Sequence, residues 1–340
     1  MPEQKIILSN KPQINISCPS AARMWLVSGC AFLCVLQSSF SDGGRSLVTA
    51  LAALFSALLI ELLLTWRNHG FSKVKDGSAA ATAMILTLLL PNLIHPFCAV
   101  LGAAFAVTVV KYSFGGLGSN WLNPAVGGWL FIRFSWPAVF EKALEGSPYS
   151  ISEIPAASGA GAFDTATEFL NNSVFSVTGA QMPSGYIDLL FNSNPGIITD
   201  RGIFSLLIGT ICITAAGINR GWIPIVFLAV YGFLIRLAGD LSGVLWNGDV
   251  IYGIFSGGTI AAAFILAAEP ASGAKLKPGI ILAVFSGAVL SWFFRYKCME
   301  YSGCFIALAL VNCFTPLIKL AEEKIFLFRN NRGGVQENIL

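Results

Sequence analysis

Charge is what this chain has least of. Lys, Arg, Asp and Glu make up only 11% of its 340 residues, whereas soluble domains carry roughly 25%. That scarcity excludes an ordinary soluble fold, and with no basic stripe on offer no nucleic-acid partner is expected. Histidine is scarcer still: His69 and His95 stand far apart and supply no metal-ligand set. The eight cysteines (Cys18, Cys30, Cys34, Cys98, Cys212, Cys298, Cys304 and Cys313) are scattered and form no C-x-x-C pair. Their spacing, mostly inside apolar runs, therefore points to structural thiols rather than a zinc site, an iron–sulfur cluster or a disulfide framework. The opening MPEQKIILSNKPQINISCPS has only a short apolar run and no small-residue cleavage site, so it is expected to be a short cytoplasmic arm and not a signal peptide.

Oil is what the chain does have, at 55% hydrophobic residues. A bilayer-spanning helix needs about 20 predominantly apolar residues, and about ten such runs can be marked off by charges, Gly and Pro. They fall near 22–40, 46–66, 78–92, 96–112, 124–141, 202–218, 221–238, 251–268, 279–294 and 302–321. Several are short or carry Gly and Pro, which predicts tilted or broken helices packed inside the bundle. The expected fold is an all-α polytopic membrane protein.

One long polar segment, 142–201, divides the apolar runs into two halves of about five spans, 22–141 and 202–321, with an arm at 1–21 and a tail at 322–340. An odd number of spans per half makes the second half enter the membrane in the opposite direction, so repeats here would be inverted repeats. Basic residues are more numerous in the segments that share a side with the termini, among them Lys5, Lys11, Lys73, Lys75, Lys111 and Arg220, than on the other side. The positive-inside rule then puts both termini in the cytoplasm and segment 142–201 outside, on the periplasmic face of a bacterial inner membrane.

Ionisable residues within spans are costly and draw functional hypotheses. Glu61, in SALLIELLLTW, is a candidate stepping point for an ion or proton, with a structural partner in the bundle as the alternative. Arg133, in GWLFIRFSWP, is expected to have a structural role.

Two interruptions in the first half are unusual for simple spans. KDGSAAATAMILTLLLPN sets Asp76, Gly77 and Ser78 at the mouth of the third span, where Asp and Ser can cap a helix N-terminus. FGGLGSNWLNPAVGG sets Gly115, Gly116, Gly118, Asn120, Asn123 and Pro124 before the fifth span. Glycines at that density let the backbone approach a flat or anionic ligand closely, although a tight structural connection would look the same. Asp76, Gly116, Gly118, Asn120 and Asn123 are thus candidate contacts for such a ligand or members of a structural loop.

Together, DGSAAATAMILTLLLPN, GGLGSNWLNPA, SGGTIAAAFILAAEPASGAKLKPG and ALALVNCFTPLI resemble, in the right order along nearly the whole chain, the motifs of the RnfD/NqrB family. These are membrane subunits of the Rnf complex and of the sodium-pumping NADH:quinone oxidoreductase. Thr259 and Glu269 depart from the family pattern, which has an apolar residue and Asp there. The resemblance implies a ten-helix flavoprotein subunit that passes electrons through the membrane and couples their flow to Na⁺ or H⁺ transport. It also implies FMN joined through its phosphate to a threonine of the outer segment by a periplasmic flavin transferase, and makes a second, non-covalent flavin such as riboflavin one candidate occupant of the turn with Asp76, Gly116, Gly118, Asn120 and Asn123, a structural loop being the other.

Within GAFDTATEF, Thr167 falls where that threonine is expected, with Ala166 before it. Thr165 and Thr178 are the alternatives, although in SVTGAQMP the acceptor position holds Gln181, which cannot form the phosphoester. Spacing favours Thr167, because YIDLLFNSNPGIITDRG, similar to a family element some twenty residues beyond its threonine, begins 19 residues on. Asp164 and Glu168 differ from the residues usual around that site.

The short arm favours the Rnf-type protein, which serves electron transfer between ferredoxin and NAD⁺, over its quinone reductase counterpart. No nucleotide-binding domain or quinone signature is visible, so the expected partners are the A, B, C, E and G types of Rnf subunit, together with membrane lipid. A flavin-free secondary transporter is the alternative from another class.

Overall fold

The computed structural model describes residues 20–69, 74–113, 115–116, 120, 122–147, 173, 190, 196–242, 250–269, 273–274 and 276–336. These are helical throughout, apart from turns and one isolated bridge between Pro91 and Ile197. In chain order the helices are α1 (Ser20–Asp42), α2 (Arg45–His69), α3 (Ser78–Leu89), α4 (Pro96–Phe105), α5 (Pro124–Ser135) and α6 (Pro137–Leu144). The last residues of the expected polar segment are instead a buried helical turn, α7 (Ile198–Arg201), and after it come α8 (Ile203–Ala215), α9 (Trp222–Ser242), α10 (Val250–Phe255), α11 (Thr259–Ala261), α12 (Lys277–Tyr296) and α13 (Gly303–Gln336). A π-helical stretch, Ala106–Tyr112, continues α4, and another, Ala262–Leu266, continues α11.

Four helical stretches are long and apolar enough to cross a membrane: Ser20–Asp42, Arg45–Trp66, Lys277–Tyr296 and Gly303–Glu322. Shorter apolar helices lie between them, at Ser78–Leu89, Pro96–Tyr112, Ile203–Ala215 and Trp222–Ala238. Their outer faces carry large apolar side chains such as Phe40, Phe55, Leu63 and Ile211 in the open. Since such a surface would not stay dispersed in water, the chain is a multi-pass membrane protein.

Local chemistry explains where the expected spans break. The run 124–141 is two helices, because Pro137 cannot continue α5 and starts α6 instead. The run 251–268 is cut at Ser256–Gly258, where Gly257 and Gly258 take positive φ angles of 66° and 69°. The last helix is longer than the expected span and runs on to Gln336, through what the sequence suggested as a tail. Two helices start on a side-chain cap followed by proline: Asn123 Oδ1 accepts from the amides of Ala125 and Val126 ahead of Pro124, and the His95 ring nitrogen accepts from Phe97 N ahead of Pro96.

Small residues let the helices approach closely. A Cβ on Gly128 would lie 2.6 Å from the carbonyl oxygen of Gly102, so α4 and α5 meet almost backbone to backbone. Within the first half α2 packs on α4, α1 on α3 and α4 on α5, and within the second α9 packs on α12 and α12 on α13. The halves meet where α1 lies along α8 and where Trp129 of α5 sets its ring edge-on to Phe305 of α13, 5.4 Å between centroids.

Candidate functional site

Polar groups collect at the two ends of the bundle. At one end, Gly77 takes a φ of 73° and lets the chain turn from the short Val74–Asp76 helical turn into α3. Asp76 closes that turn as its sequence suggests: its Oδ1 accepts from Ser78 N at 2.8 Å and from Ser78 Oγ at 2.6 Å. The π-helical end of α4 then brings in Lys111, whose Nζ donates to Ser78 Oγ at 2.5 Å and to Glu61 Oε1 of α2 at 2.5 Å. Tyr112 Oη donates to the same Glu61 oxygen at 3.0 Å. Glu61 and Lys111 are both buried, 0% and 2% exposed, so the pair is shielded from solvent and salt. Glu61 Oε2 has no hydrogen-bond partner among the described residues.

The glycine-rich turn lies at this same end, between α4 and α5. Gly115 and Gly116 have positive φ angles of 101° and 89°, and nothing stands within 4 Å of a Cβ built on Gly116. Asn120 is buried with its Oδ1 lacking a partner among the described residues. Asn123 does more than cap α5, because its Nδ2 donates to Glu269 Oε2 at 2.7 Å and ties the turn to the far end of α11. Glu269 in turn lines a cavity of about 320 Å³ with Arg23, Asn219, Arg220 and Val284. Gly118, and with it Thr165, Thr167 and Thr178, lies outside the described residues.

At the opposite end a second cluster repeats the first with different groups. Gly258, at a φ of 69°, precedes α11 as Gly77 precedes α3, and Thr259 stands where Ser78 stands. Arg295, near the end of α12 and 0% exposed, donates from Nη1 to Ser256 O at 2.5 Å and Thr259 Oγ1 at 3.2 Å, and from Nη2 to Ser256 Oγ at 2.6 Å. Asp200 of α7 accepts from both glycine amides, Gly257 N at 3.0 Å and Gly258 N at 2.9 Å, and from Tyr301 Oη at 2.9 Å. The N-terminus of α11 is therefore filled by the chain's own carboxylate, which leaves it closed to a foreign anion. Arg133 pairs with Glu300 at 3.0 Å and with Glu141 at 3.4 Å, a structural link between α5 and the approach to α13.

Of the residues singled out in the sequence, the structure gathers Asp76 with Glu61, and sets Gly116, Asn120 and Asn123 at the same end. It adds groups that sequence reasoning did not select: Lys111, which had been counted among the charges of a cytoplasmic segment, and Arg295, Asp200 and Tyr301. One signal was available, since Lys111–Tyr112 and Arg295–Tyr296 are the same basic–aromatic pair at the ends of two apolar runs. No three His, Cys, Asp or Glu side chains among the described residues are grouped to hold a metal ion.

A bundle of this kind, with apolar helices exposed on its outer faces, broken helices and polar clusters at its two ends, defines a polytopic membrane protein. The sequence profile of the NQR2, RnfD, RnfE family matches residues 7–326, and the chain belongs to that family. Similar proteins include the D-type component of the proton-translocating ferredoxin:NAD(+) oxidoreductase complex of Clostridium ljungdahlii, 25% identical over 312 residues covering 92% of both chains. The D-type component of the Na(+)-translocating ferredoxin:NAD(+) oxidoreductase complex of Acetobacterium woodii is 27% identical over 331 residues and 96% of both chains. That of the ion-translocating oxidoreductase complex of Alcanivorax borkumensis is 28% identical over 325 residues, 92% of this chain and 94% of its own.

Proposed function

We propose that this chain is the D-type component of an Rnf complex, a membrane flavoprotein that helps pass electrons between ferredoxin and NAD⁺ and couples their flow to Na⁺ or H⁺ transport. The observation that carries the reading is the family match over residues 7–326, joined to relatives of similar length named as components of such complexes. The A, B, C, E and G types of subunit would be its partners, and they would carry the oxidation of soluble donors. We place it in the bacterial inner membrane with both termini in the cytoplasm, as ten spans in two inverted halves. The recurrence of a left-handed glycine, a hydroxyl and a buried cation at the starts of α3 and α11 supports that repeat.

FMN would be held through a phosphoester on Thr167 of the outer segment, the attachment catalysed by a periplasmic flavin transferase. The flavin supplies one- and two-electron redox chemistry when bound. The Gly116–Asn120–Asn123 turn would seat a second, non-covalent flavin, a reading supported by the room at Gly116 and by Asn120 Oδ1 having no partner, both among the described residues. Glu61 would stand on the ion path, supported by its burial beside Lys111 and its unused oxygen.

The experiment is expression of the chain together with a flavin transferase, followed by in-gel flavin fluorescence and intact mass. Wild type is expected to carry one covalent FMN and Thr167→Ala none. If wild type carries none while the transferase modifies a known acceptor, the flavin assignment is lost and a flavin-free transporter takes its place.

A further inference from the structure

The cluster at the mouth of α3 is a continuous hydrogen-bonded chain from the bundle surface to a buried carboxylate. Asp76, half-buried at the surface end, accepts from Ser78 Oγ at 2.6 Å; Ser78 accepts from Lys111 Nζ at 2.5 Å; and Lys111 donates to Glu61 Oε1 at 2.5 Å. The titratable groups brought against Glu61 are Lys111 and Tyr112, both from the end of α4. An ion pair alone would have been complete without Ser78 and Asp76.

We propose that Asp76, Ser78, Lys111 and Glu61 form a proton relay that loads the buried Glu61 carboxylate from the membrane face at this end of the bundle. The relay rests on the reading of Glu61 as part of an ion path and supplies its route. Lys111 passes an ammonium proton to Glu61 Oε1 and is left as a neutral amine. The Ser78 hydroxyl proton moves to that amine while a proton that Asp76 has taken from water moves to Ser78 Oγ. Lys111 is again an ammonium, Asp76 again a carboxylate, and Glu61 has gained one proton; only O–H and N–H bonds change. Glu61 Oε2 is buried and without a partner among the described residues.

The second cluster shows why the choice of cation matters. There the matching position is Arg295, which binds Ser256 and Thr259 but cannot give up a proton in a protein. A lysine at one end can relay, and an arginine at the other is a fixed clamp.

The test uses the full chain in nanodiscs and infrared difference spectra after a pH jump, with the protonated-carboxyl band of Glu61 assigned through Glu61→Gln. Lys111→Arg keeps the positive charge but cannot relay, and Ser78→Ala cuts the chain. Both are expected to slow protonation of Glu61 on the order of tenfold or more, with Ser78→Thr restoring the wild-type rate. If Lys111→Arg and Ser78→Ala fail to fold, Asp76→Asn at the surface end is read in their place with the same expectation. Protonation of Glu61 at the wild-type rate in these variants overturns the relay, as does a wild-type Glu61 band that ignores external pH. A separate assay of ion uptake by the reconstituted complex distinguishes the two readings. Uptake lost in Glu61→Gln but normal in Lys111→Arg would keep the ion path and remove only this route.

Discussion

Ser78 and Thr259 hold the same place at opposite ends of the bundle: each is the first helical residue after a glycine at positive φ, and each has its hydroxyl bonded to a buried cation from the penultimate position of a later helix. The chain reuses one local solution for starting a short helix where the first residues are buried and water cannot satisfy the first amides.

The glycines before Thr259 are expected to be intolerant. A Cβ on Gly257 would lie 2.3 Å from Arg295 Nη1 and 2.6 Å from the backbone oxygen of Tyr301, and one on Gly258 would lie 2.3 Å from the Phe305 ring. Added to the positive φ, either alanine should cost about 1–3 kcal/mol or more. Gly116→Ala meets open space and should cost only its backbone strain, roughly 1 kcal/mol. Thermal unfolding in detergent separates these cases, and equal losses would contradict the packing described.

For the Glu61–Lys111 pair, removing one partner should hurt more than removing both. Glu61→Leu or Lys111→Met alone leaves a charge without its counter-ion, which costs about 3–5 kcal/mol in buried pairs, whereas the double variant should recover much of the loss. A double-mutant cycle on melting temperature reads the coupling. Strictly additive losses would mean that the two side chains do not meet.

Asn123→Asp isolates the contact with Glu269. The aspartate still caps α5, but it sets a second carboxylate against Glu269, where Asn123 now donates at 2.7 Å. Protonation of either acid relieves the repulsion, so the melting temperature of this variant should rise relative to wild type as the pH is lowered from neutral. A variant that tracks wild type at every pH would show that the two side chains stand apart.

Cys298, exposed between α12 and α13, reports the orientation. With both termini in the cytoplasm it faces outward, and a membrane-impermeant maleimide should label it in cells whose outer membrane has been opened. Labelling seen only in inverted inner-membrane vesicles would reverse the topology.

Much of the candidate site was legible because its chemistry is local. Asp76, Gly77 and Ser78 form a cap within three residues, Asn123 caps its own helix, and the oil around Glu61 made that acid conspicuous. The partners were not legible. Lys111 reads as an ordinary boundary charge at the end of an apolar run, and only the π-helical end of α4 turns its ammonium inward toward α2 and α3. Asp200 reads as one more acid at the end of the polar segment and gives no sign that its carboxylate reaches Gly257 and Gly258.

The sequence by itself determined that the chain lives in a membrane, that it is helical, and which family it belongs to. Those properties follow from composition, from Pro and Gly at set positions and from ordered motifs, all of which act over a few residues at a time. Tertiary structure alone decided that Glu61 has Lys111 as its counter-ion and that Arg295 and Asp200 close the start of α11. It also showed that the glycine-rich turn leans on Glu269. Each joins residues distant in the chain, and a buried charge is stable only against the partner that folding brings to it.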